Sequence, residues 1–370
     1  MILSDTAIAS RNQDRMGRAG FAEKLAEAIL QWKSEDSIVI GLFGPWGSGK
    51  TSLLRMALEA LGEKTADAPR NAGPIVVWFD PWLFSDRSDL MMELFRELLK
   101  YIEGKKPKAT REVRAQLADY VELFSLADYI PIPGAAPVAA ALGKTLKTLA
   151  KKPGVADLRH AVDSAFRTLG RRVIVVIDNI DRLTQGETRL IFQAIKLNAD
   201  FPNTIYLLAA DRSIVEKSLE TEQVISGRAY LEKIVQVGFD VPVPDPSHIT
   251  TYLDAELESI VGQNPDLWDE ERWRSLYHVG FRQLFTNLRD VKRFMSSLSF
   301  TFPILKDEVN PIDFIGLEAI RVFAPDVYAG IGRSKSLFLH LMDLSRTSEN
   351  ILAVCRREVV GLPKCGLAGH

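Results

Sequence analysis

The sequence feature that most restricts the fold is a glycine-rich segment at residues 44–51. Gly44-Pro45-Trp46-Gly47-Ser48-Gly49-Lys50-Thr51 satisfies the pattern G-x-x-x-x-G-K-[ST]. It lies between an apolar run, Ile38–Phe43, and a segment rich in helix-forming residues, Thr51–Leu61. In that context glycine amides and a helix N-terminus can surround an anion. The segment therefore predicts a phosphate-binding loop between a strand and a helix.

This loop is predicted to bind ATP together with Mg²⁺. Lys50 is expected to reach the β- and γ-phosphates, and the Thr51 hydroxyl is expected to ligate Mg²⁺. The alternative is a glycine-rich turn with a surface lysine, which the flanking strand and helix disfavour. The predicted nucleotide-binding residues are Gly44, Pro45, Trp46, Gly47, Ser48, Gly49, Lys50, Thr51 and Ser52.

A second motif is the apolar run Val173–Ile177, which is followed directly by the acidic residue Asp178. An ionised carboxylate after five apolar residues is costly without a partner, which favours a metal-bound or hydrogen-bonded role over an exposed one. Asp178 is therefore the predicted Mg²⁺ ligand of a Walker B strand. Asp181 has two open interpretations, since it is placed either to orient the attacking water or to cap the next helix.

Apolar runs alternate with helical segments up to residue 245. This alternation predicts an α/β fold with a doubly wound, mainly parallel sheet. Together with the phosphate-binding loop, it predicts a fold of the P-loop NTPase type. Residues 1–245 are predicted to form this core, with a helical and basic insertion at about 101–170, and residues 246–370 to form an all-helical C-terminal domain. The second and third strands are expected to be buried on both faces. The predicted strands are Ile38–Phe43, Ile75–Phe79, Val173–Ile177, Thr204–Ala210 and Val235–Val241.

Composition excludes several other classes of protein. The 370 residues carry 46 Lys+Arg and 48 Asp+Glu, a formal charge of −2, so there is no global basic field to attract nucleic acid. Cys355 and Cys365, even with His370, predict neither a disulfide framework nor a complete zinc site. The sequence shows no signal-peptide pattern and no run of about 18 apolar residues. We therefore expect a cytoplasmic protein.

Further motifs, spread over nearly the whole chain, carry a resemblance. With the phosphate-binding loop and Asp178–Arg182, they are Asp14-Arg15-Met16-Gly17-Arg18 with Phe21-Ala22, Trp78-Phe79-Asp80-Pro81-Trp82, Ala210-Asp211-Arg212, Tyr230-Leu231-Glu232-Lys233-Ile234 and Leu288-Arg289-Asp290-Val291-Lys292-Arg293-Phe294. The sequence resembles the KAP family of P-loop NTPases, a branch of the additional-strand P-loop ATPases. The resemblance implies an ATP-hydrolysing switch or motor, in bacteria often linked to defence against phages and plasmids or to membrane-associated signalling.

The resemblance also implies the strand order 5-1-4-3-2. The end of the fourth strand would then lie between the phosphate-binding loop and the Walker B strand, which makes Asp211 a candidate sensor of the γ-phosphate. The second strand would lie three places from the first, about 14 Å away at about 4.8 Å per place. Asp80 would be too far from the loop for direct phosphate contact. A structural or partner-binding role is therefore favoured for Trp78, Asp80 and Trp82.

Two departures from the family pattern affect the expected chemistry. Asn179 replaces an acid that usually follows the Walker B aspartate, and Asp80-Pro81 stands where Asn-Ala is more usual. An amide orients water but cannot accept its proton, so Asp181 becomes the preferred base and Asn179 a second catalytic candidate. The competing hypothesis is a nucleotide-dependent scaffold that hydrolyses ATP only weakly. An increase in turnover on Asn179→Asp would show that the amide limits catalysis.

Basic residues near the C-terminal end supply candidates for charge stabilisation. Arg289 and Arg293 are four residues apart, so on a helix they share one face. An arginine at the γ-phosphate would stabilise the transferring group, which makes both residues catalytic candidates. The alternative is a solvated helix face. Arg182 and Arg212 are further candidates that would act across a subunit boundary.

Two segments of the insertion bear on possible partners. Residues 129–143 are uncharged but contain three prolines, too short and interrupted for a bilayer-spanning helix, so only peripheral membrane contact stays open. Residues 144–172 hold eight Lys/Arg against two Asp. A nucleic-acid partner is possible there but disfavoured, because no aromatic residues alternate with these charges. The expected partner is a protein or a second copy of the chain.

Overall fold

The computed structural model describes residues 6–66, 73–84, 90–102, 108–125, 155–198, 200–220, 226–262 and 268–333. The chain divides into two compact units, one of residues 7–243 and the other of residues 244–370 together with residues 1–6. The uncharged segment 129–143, the basic positions 144, 147, 151 and 152, and both cysteines with His370 lie outside the described residues. Among the described helices, none is both long and apolar enough to cross a bilayer.

The first unit is built on a five-stranded parallel sheet with the order β2-β3-β4-β1-β5. Central pairing sets Ile38 opposite Ile205 and Phe43 opposite Ala210. This is the order that the resemblance implies, and the predicted α/β class with a helical C-terminal part is confirmed. The strands are β1 (Ile38–Phe43), β2 (Ile75–Phe79), β3 (Val173–Ile177), β4 (Thr204–Ala210) and β5 (Val237–Asp240).

Helices cover both faces of this sheet, because alternate residues of each strand point to opposite sides. On one side, Ile40 and Leu42 of β1 pack with apolar residues of α1 and α2. On the other side, Val39 and Phe43 join a core that includes residues of α3, α4, α5 and α6. The helices of this unit are α1 (Ala19–Gln31), α2 (Lys50–Lys64), α3 (Leu90–Ile102), α4 (Lys108–Ser125), α5 (Val155–Leu169), α6 (Gln185–Gln193), α7 (Arg212–Leu219) and α8 (Gly227–Glu232).

The two strands predicted to be buried on both faces differ in the structure. All five residues of β3 are buried, as expected for a strand with neighbours on both sides. The expectation is wrong for β2, in which Val76 and Trp78 are only half-buried. The reason is its place at the edge of the sheet, where one flank has no neighbour among the described strands. An apolar run alone does not distinguish an edge strand from a central one.

The described part of the second unit consists of helices packed around aromatic side chains. Rings of Phe281, Phe285, Phe294 and Phe323 contact one another at centroid distances of 4.9 to 6.3 Å. Asp245, Asp269, Asn287 and Asn310 cap the first four helices by accepting backbone N–H groups. The helices are α9 (Pro246–Val261), α10 (Glu270–Val279), α11 (Leu288–Leu305), α12 (Pro311–Phe323) and α13 (Pro325–Arg333).

Candidate nucleotide site

The glycine-rich segment forms a loop that leads directly from the end of β1 into α2, which begins at Lys50. Gly47 and Gly49 have φ of 82° and 86°, in the left-handed region that strains residues with a Cβ atom. The Gly44 N–H donates to the Ala210 carbonyl at 3.2 Å, which joins the loop to the end of β4. The glycines of the motif therefore serve the backbone path that a phosphate-binding loop requires.

Lys50 is buried at the N-terminus of α2, with 9% of its surface exposed. Its ammonium group donates to the carbonyl oxygens of Gly44 at 2.8 Å and Pro45 at 3.3 Å. It also lies 3.0 Å from Oδ2 of Asp181. The lysine predicted to bind phosphate is thus held between the loop and an acid that follows β3.

Thr51 and Asp178 meet across the same site. The Thr51 hydroxyl donates to Oδ2 of Asp178 at 2.7 Å, and the Asn179 N–H donates to the other oxygen at 2.8 Å. Asp178 is only 2% exposed, and no lysine or arginine of the described residues forms a salt bridge with it. Burial raises the pKa of the Asp178 carboxyl, and the nearby Asp80 and Asp181 raise it further.

This pair fits a magnesium ion. Hydroxyl and carboxylate oxygens are the ligands that Mg²⁺ prefers, and Mg²⁺ is usually held by one or two protein groups together with substrate phosphates. Within the described residues, no group of three or more His, Cys, Asp or Glu side chains is arranged to hold a metal by itself. The buried, cation-free carboxylate of Asp178 with Thr51 is thus suited to a metal that arrives with a phosphate ligand.

Asp80 is a site residue that the sequence analysis did not place here. It follows β2, and its Oδ2 accepts a hydrogen bond from the Asn179 side-chain amide at 2.7 Å. The expected separation of about 14 Å concerned the loop after β1, whereas β2 is the direct neighbour of β3. The two departures from the family pattern are therefore hydrogen-bonded to each other. The signal in the sequence was a carboxylate at the end of the strand next to the predicted Walker B strand.

Asp181 and Asp211 are linked through the backbone. Oδ2 of Asp181 accepts the Asp211 N–H at 3.1 Å. The next helix, α6, is capped by Thr184, whose side chain accepts the Glu187 N–H, so the capping role considered for Asp181 belongs to Thr184. The Asp211 carboxylate caps α7 by accepting from the N–H and hydroxyl of Ser213 at 3.0 and 2.6 Å. Its role as a γ-phosphate sensor stays a prediction.

The candidate arginines have different surroundings. The Arg182 guanidinium lies between two exposed indoles, 5.2 Å from the Trp46 ring and 4.7 Å from the Trp82 ring. Arg212 lies 4.1 Å from the ring of the buried Phe43. These are cation–π contacts. Arg182 is therefore the candidate arginine attached to the loop itself, through Trp46.

Arg289 and Arg293 belong to α11 of the second unit. Arg293 donates to the Val322 carbonyl at 2.9 Å, near the C-terminal end of α12. Its guanidinium lies 6.0 Å from the Phe323 ring. These contacts give Arg293 a structural function within its own unit, and a catalytic role for Arg289 and Arg293 stays a prediction.

The described arginines of the basic flank are used inside the first unit. Arg159 pairs with Asp163 at 3.0 Å, and Arg167 pairs with Glu35 at 2.7 Å. Arg171 and Arg172 donate to backbone carbonyls, and burial lowers the pKa of both. These four charges are therefore already engaged by groups of the protein, which weakens the case for a nucleic-acid surface at this flank.

Comparison with known proteins gives this arrangement a family. The sequence model described as the KAP family P-loop domain matches residues 18–305. The chain belongs to the KAP family. The resemblance inferred from the motifs is thereby confirmed, and with it membership of a family of P-loop NTPases.

One curated relative is similar to most of this KAP chain. The Phage T7 exclusion protein of Escherichia coli (strain K12) is 27% identical over 349 residues, covering 88% of this chain and 46% of that protein. The KAP chain thus spans less than half the length of this relative.

Two solved structures from Aeropyrum pernix are also similar. The ORC2 protein in ADPNP–ADP complexes is 13% identical, with 86% of this chain and 70% of that chain covered and a TM-score of 0.42. The ORC1 protein in complex with DNA is 13% identical, with 95% and 80% covered and a TM-score of 0.44.

Proposed function

We propose that this KAP family chain binds ATP with Mg²⁺ and hydrolyses it, acting as a nucleotide-driven switch or motor for a partner. The observation that carries the proposal is the meeting of the two motifs at hydrogen-bond distance. Thr51 lies 2.7 Å from Asp178, and Lys50 lies 3.0 Å from Asp181. Groups separated by more than a hundred residues thus form one buried site whose charges suit a metal-bound triphosphate.

The roles of the chain's own groups follow from these contacts. The loop amides bind the phosphate oxygens, and Thr51 with Asp178 would hold Mg²⁺. When bound, that ion neutralises charge on the phosphates. The triphosphate competes with Asp181 for Lys50, so nucleotide binding releases the Asp181 carboxylate. The freed carboxylate then orients the attacking water and accepts its proton, while the Asn179 amide is held by Asp80.

Turnover and binding measured on the purified chain test this proposal. We expect ATP hydrolysis that depends on Mg²⁺, together with binding of ATP and ADP. Tight binding without turnover would favour the second candidate, a nucleotide-dependent scaffold. That candidate is supported by Asn179, because its amide cannot accept a proton from the attacking water as a carboxylate would. Absence of both binding and turnover would reject both functions.

The variant Asp181→Asn tests whether Asp181 is a general base or only the ionic partner of Lys50. We expect ATP affinity to rise several-fold, because ATP binding no longer has to break the ion pair between Lys50 and Asp181. Turnover at saturating ATP should fall by about 100-fold or more, which is the usual contribution of a general base. Binding titration and steady-state kinetics measure the two effects. Asp163→Asn, which removes a carboxylate paired with Arg159 elsewhere in this unit, is the control. Unchanged turnover would remove Asp181 from the chemistry.

The Asp80–Asn179 pair calls for an exchange of residues rather than a single substitution. Asn179→Asp alone would put two carboxylates at the 2.7 Å contact, beside the buried Asp178, and is expected to lower stability and turnover. The double variant Asp80→Asn/Asn179→Asp restores one donor and one acceptor and should recover both. Kinetics and urea unfolding of the two single variants and the double variant form a double-mutant cycle. Additive effects would show that the pair does not act as a unit.

The biological role proposed for this chain is defence against phage, with a protein or a second copy of the chain as the partner. Support for the role comes from the similarity to the Phage T7 exclusion protein. A nucleic-acid partner is disfavoured because the described arginines of the basic flank form contacts within the chain. Phages should form fewer plaques on bacteria that express the natural chain than on bacteria that express Lys50→Ala. Equal plaque numbers would argue against the role.

A further inference from the structure

Arg18 is a buried cation whose position the proposed chemistry has not yet used. It precedes α1 and is 6% exposed. The turn that presents it is fixed by Asp14, whose carboxylate accepts the N–H groups of Met16, Arg18 and Ala19 at 2.9, 2.5 and 2.7 Å. Gly17 within this turn has φ of 68°, in the left-handed region. The backbone thus holds Arg18 in one place before its side chain makes any contact.

The side chain of Arg18 ends at the phosphate-binding loop. Its guanidinium donates to the Ser48 carbonyl and fills the space where a Cβ atom on Gly49 would lie, 2.6 Å from one terminal nitrogen. Its Nε has no hydrogen-bond partner, and among the described residues no carboxylate lies within salt-bridge distance. Burial lowers the pKa of Arg18, and the Asp14 carboxylate of the same turn opposes only part of that shift. A buried charge of this kind is costly for the nucleotide-free protein, which calls for a compensating role.

Peptide geometry connects this contact with the phosphate site. The Ser48 carbonyl and the Gly49 N–H belong to the same trans peptide group and point in opposite directions. A donor that fixes the carbonyl on one side therefore directs the Gly49 N–H to the other side. A charged donor on the carbonyl also polarises the peptide, so its N–H becomes a stronger donor.

We propose that Arg18 is a positioning residue of the nucleotide site, which orients and polarises the Ser48–Gly49 peptide so that its N–H binds a phosphate oxygen. This inference rests on the proposed function, because it requires that the loop binds a nucleotide. Negative charge bound on the other side of this peptide would offset part of the cost of burying Arg18. Arg18 thus acts through the loop backbone and does not contact the nucleotide.

The test compares Arg18→Met, Arg18→Lys and the control Arg15→Met, which removes a neighbouring exposed arginine. In Arg18→Met we expect the Kd for ADP and for ATP to rise by the same factor, about tenfold. Turnover at saturating ATP should change less than threefold. Because the variant loses an unpaired buried charge, its nucleotide-free urea midpoint should be equal to or above that of the natural chain. Arg18→Lys should recover part of the affinity.

A weaker nucleotide affinity of Arg18→Met together with an equal or higher urea midpoint would exclude a merely structural role. Such a role would lower the urea midpoint and the affinity together. Unchanged ADP affinity in Arg18→Met, or loss of affinity with a lowered midpoint and no recovery by lysine, would overturn the inference while the proposed function stands. If the natural chain binds neither ADP nor ATP, the proposed function and this inference both fail.

Discussion

Lys50→Ala is expected to lower Mg²⁺-dependent ATP turnover by at least about 100-fold and to weaken ATP binding. Lys50 supplies a buried positive charge at the loop, placed to meet the phosphates directly, and removal of one such group from a preorganised site commonly has this effect. The variant also leaves the Asp181 carboxylate, 7% exposed, without its ionic partner. The nucleotide-free chain should therefore lose about 3 kcal/mol of unfolding free energy. Steady-state kinetics and urea unfolding measure the two losses.

Two matched variants separate these consequences of losing Lys50. Lys64→Ala removes a lysine at the other end of α2, where it pairs with Glu27 on the surface, and should leave turnover unchanged. The double variant Lys50→Ala/Asp181→Ala removes both partners of the buried pair. It should regain most of the stability but none of the turnover. Substantial turnover by Lys50→Ala would contradict the assignment of the phosphate-binding loop.

Asp178→Asn is expected to remove Mg²⁺-dependent turnover while it raises the stability of the nucleotide-free chain at pH 7. The amide oxygen still accepts the Asn179 N–H, and the amide NH2 donates to the Thr51 hydroxyl, which accepts as well as donates. The amide provides no negative charge for a metal. The stabilisation arises because the natural chain buries an ionised carboxylate without a cation. Kinetics and urea midpoints of both proteins, with and without Mg²⁺–ATP, measure these effects.

The stability difference should depend on pH with a defined sign. Burial raises the pKa of Asp178 in the folded chain, so folding is penalised only when this carboxyl is ionised. Below the ordinary aspartate pKa, about 4, the carboxyl is protonated in both states and the penalty is absent. The unfolding free energy of Asp178→Asn should therefore increasingly exceed that of the natural chain as the pH rises from about 4 to neutrality.

Asp240→Asn is the matched control for this experiment. Asp240 also ends a strand of the parallel sheet, β5, but is exposed, so neither turnover nor the pH dependence of stability should change. A stability difference between the natural chain and Asp178→Asn that falls with rising pH would contradict the burial argument.

Local patterns in the sequence were sufficient for the elements that carry the site. The phosphate-binding loop depends on neighbouring residues: left-handed glycines at 47 and 49, then a helix that begins at Lys50. The predicted Walker B strand, β3, is equally local, with five buried apolar residues before Asp178. Such features can be recognised because backbone conformation and strand burial are set by residues close in the chain.

The contacts that give the site its chemistry were decided by tertiary structure. Asp80 and Asn179 are 99 residues apart and meet because β2 pairs with β3. Arg18 reaches the Ser48 carbonyl because the turn held by Asp14 leads into α1, which packs against α2. Lys50 meets Asp181 because β4 lies between β1 and β3 and brings their ends to one edge of the sheet.

The physical reason for this division is the range of the interactions. Turn conformations, helix starts and apolar periodicity are determined within a few residues, so the sequence alone established the α/β class and the position of the nucleotide-binding motif. Strand order and helix packing depend on burying the whole core at once, and they select which distant polar groups become neighbours. The contacts of Asp181 with Lys50 and of Asp80 with Asn179 therefore depend on the strand order of the whole sheet.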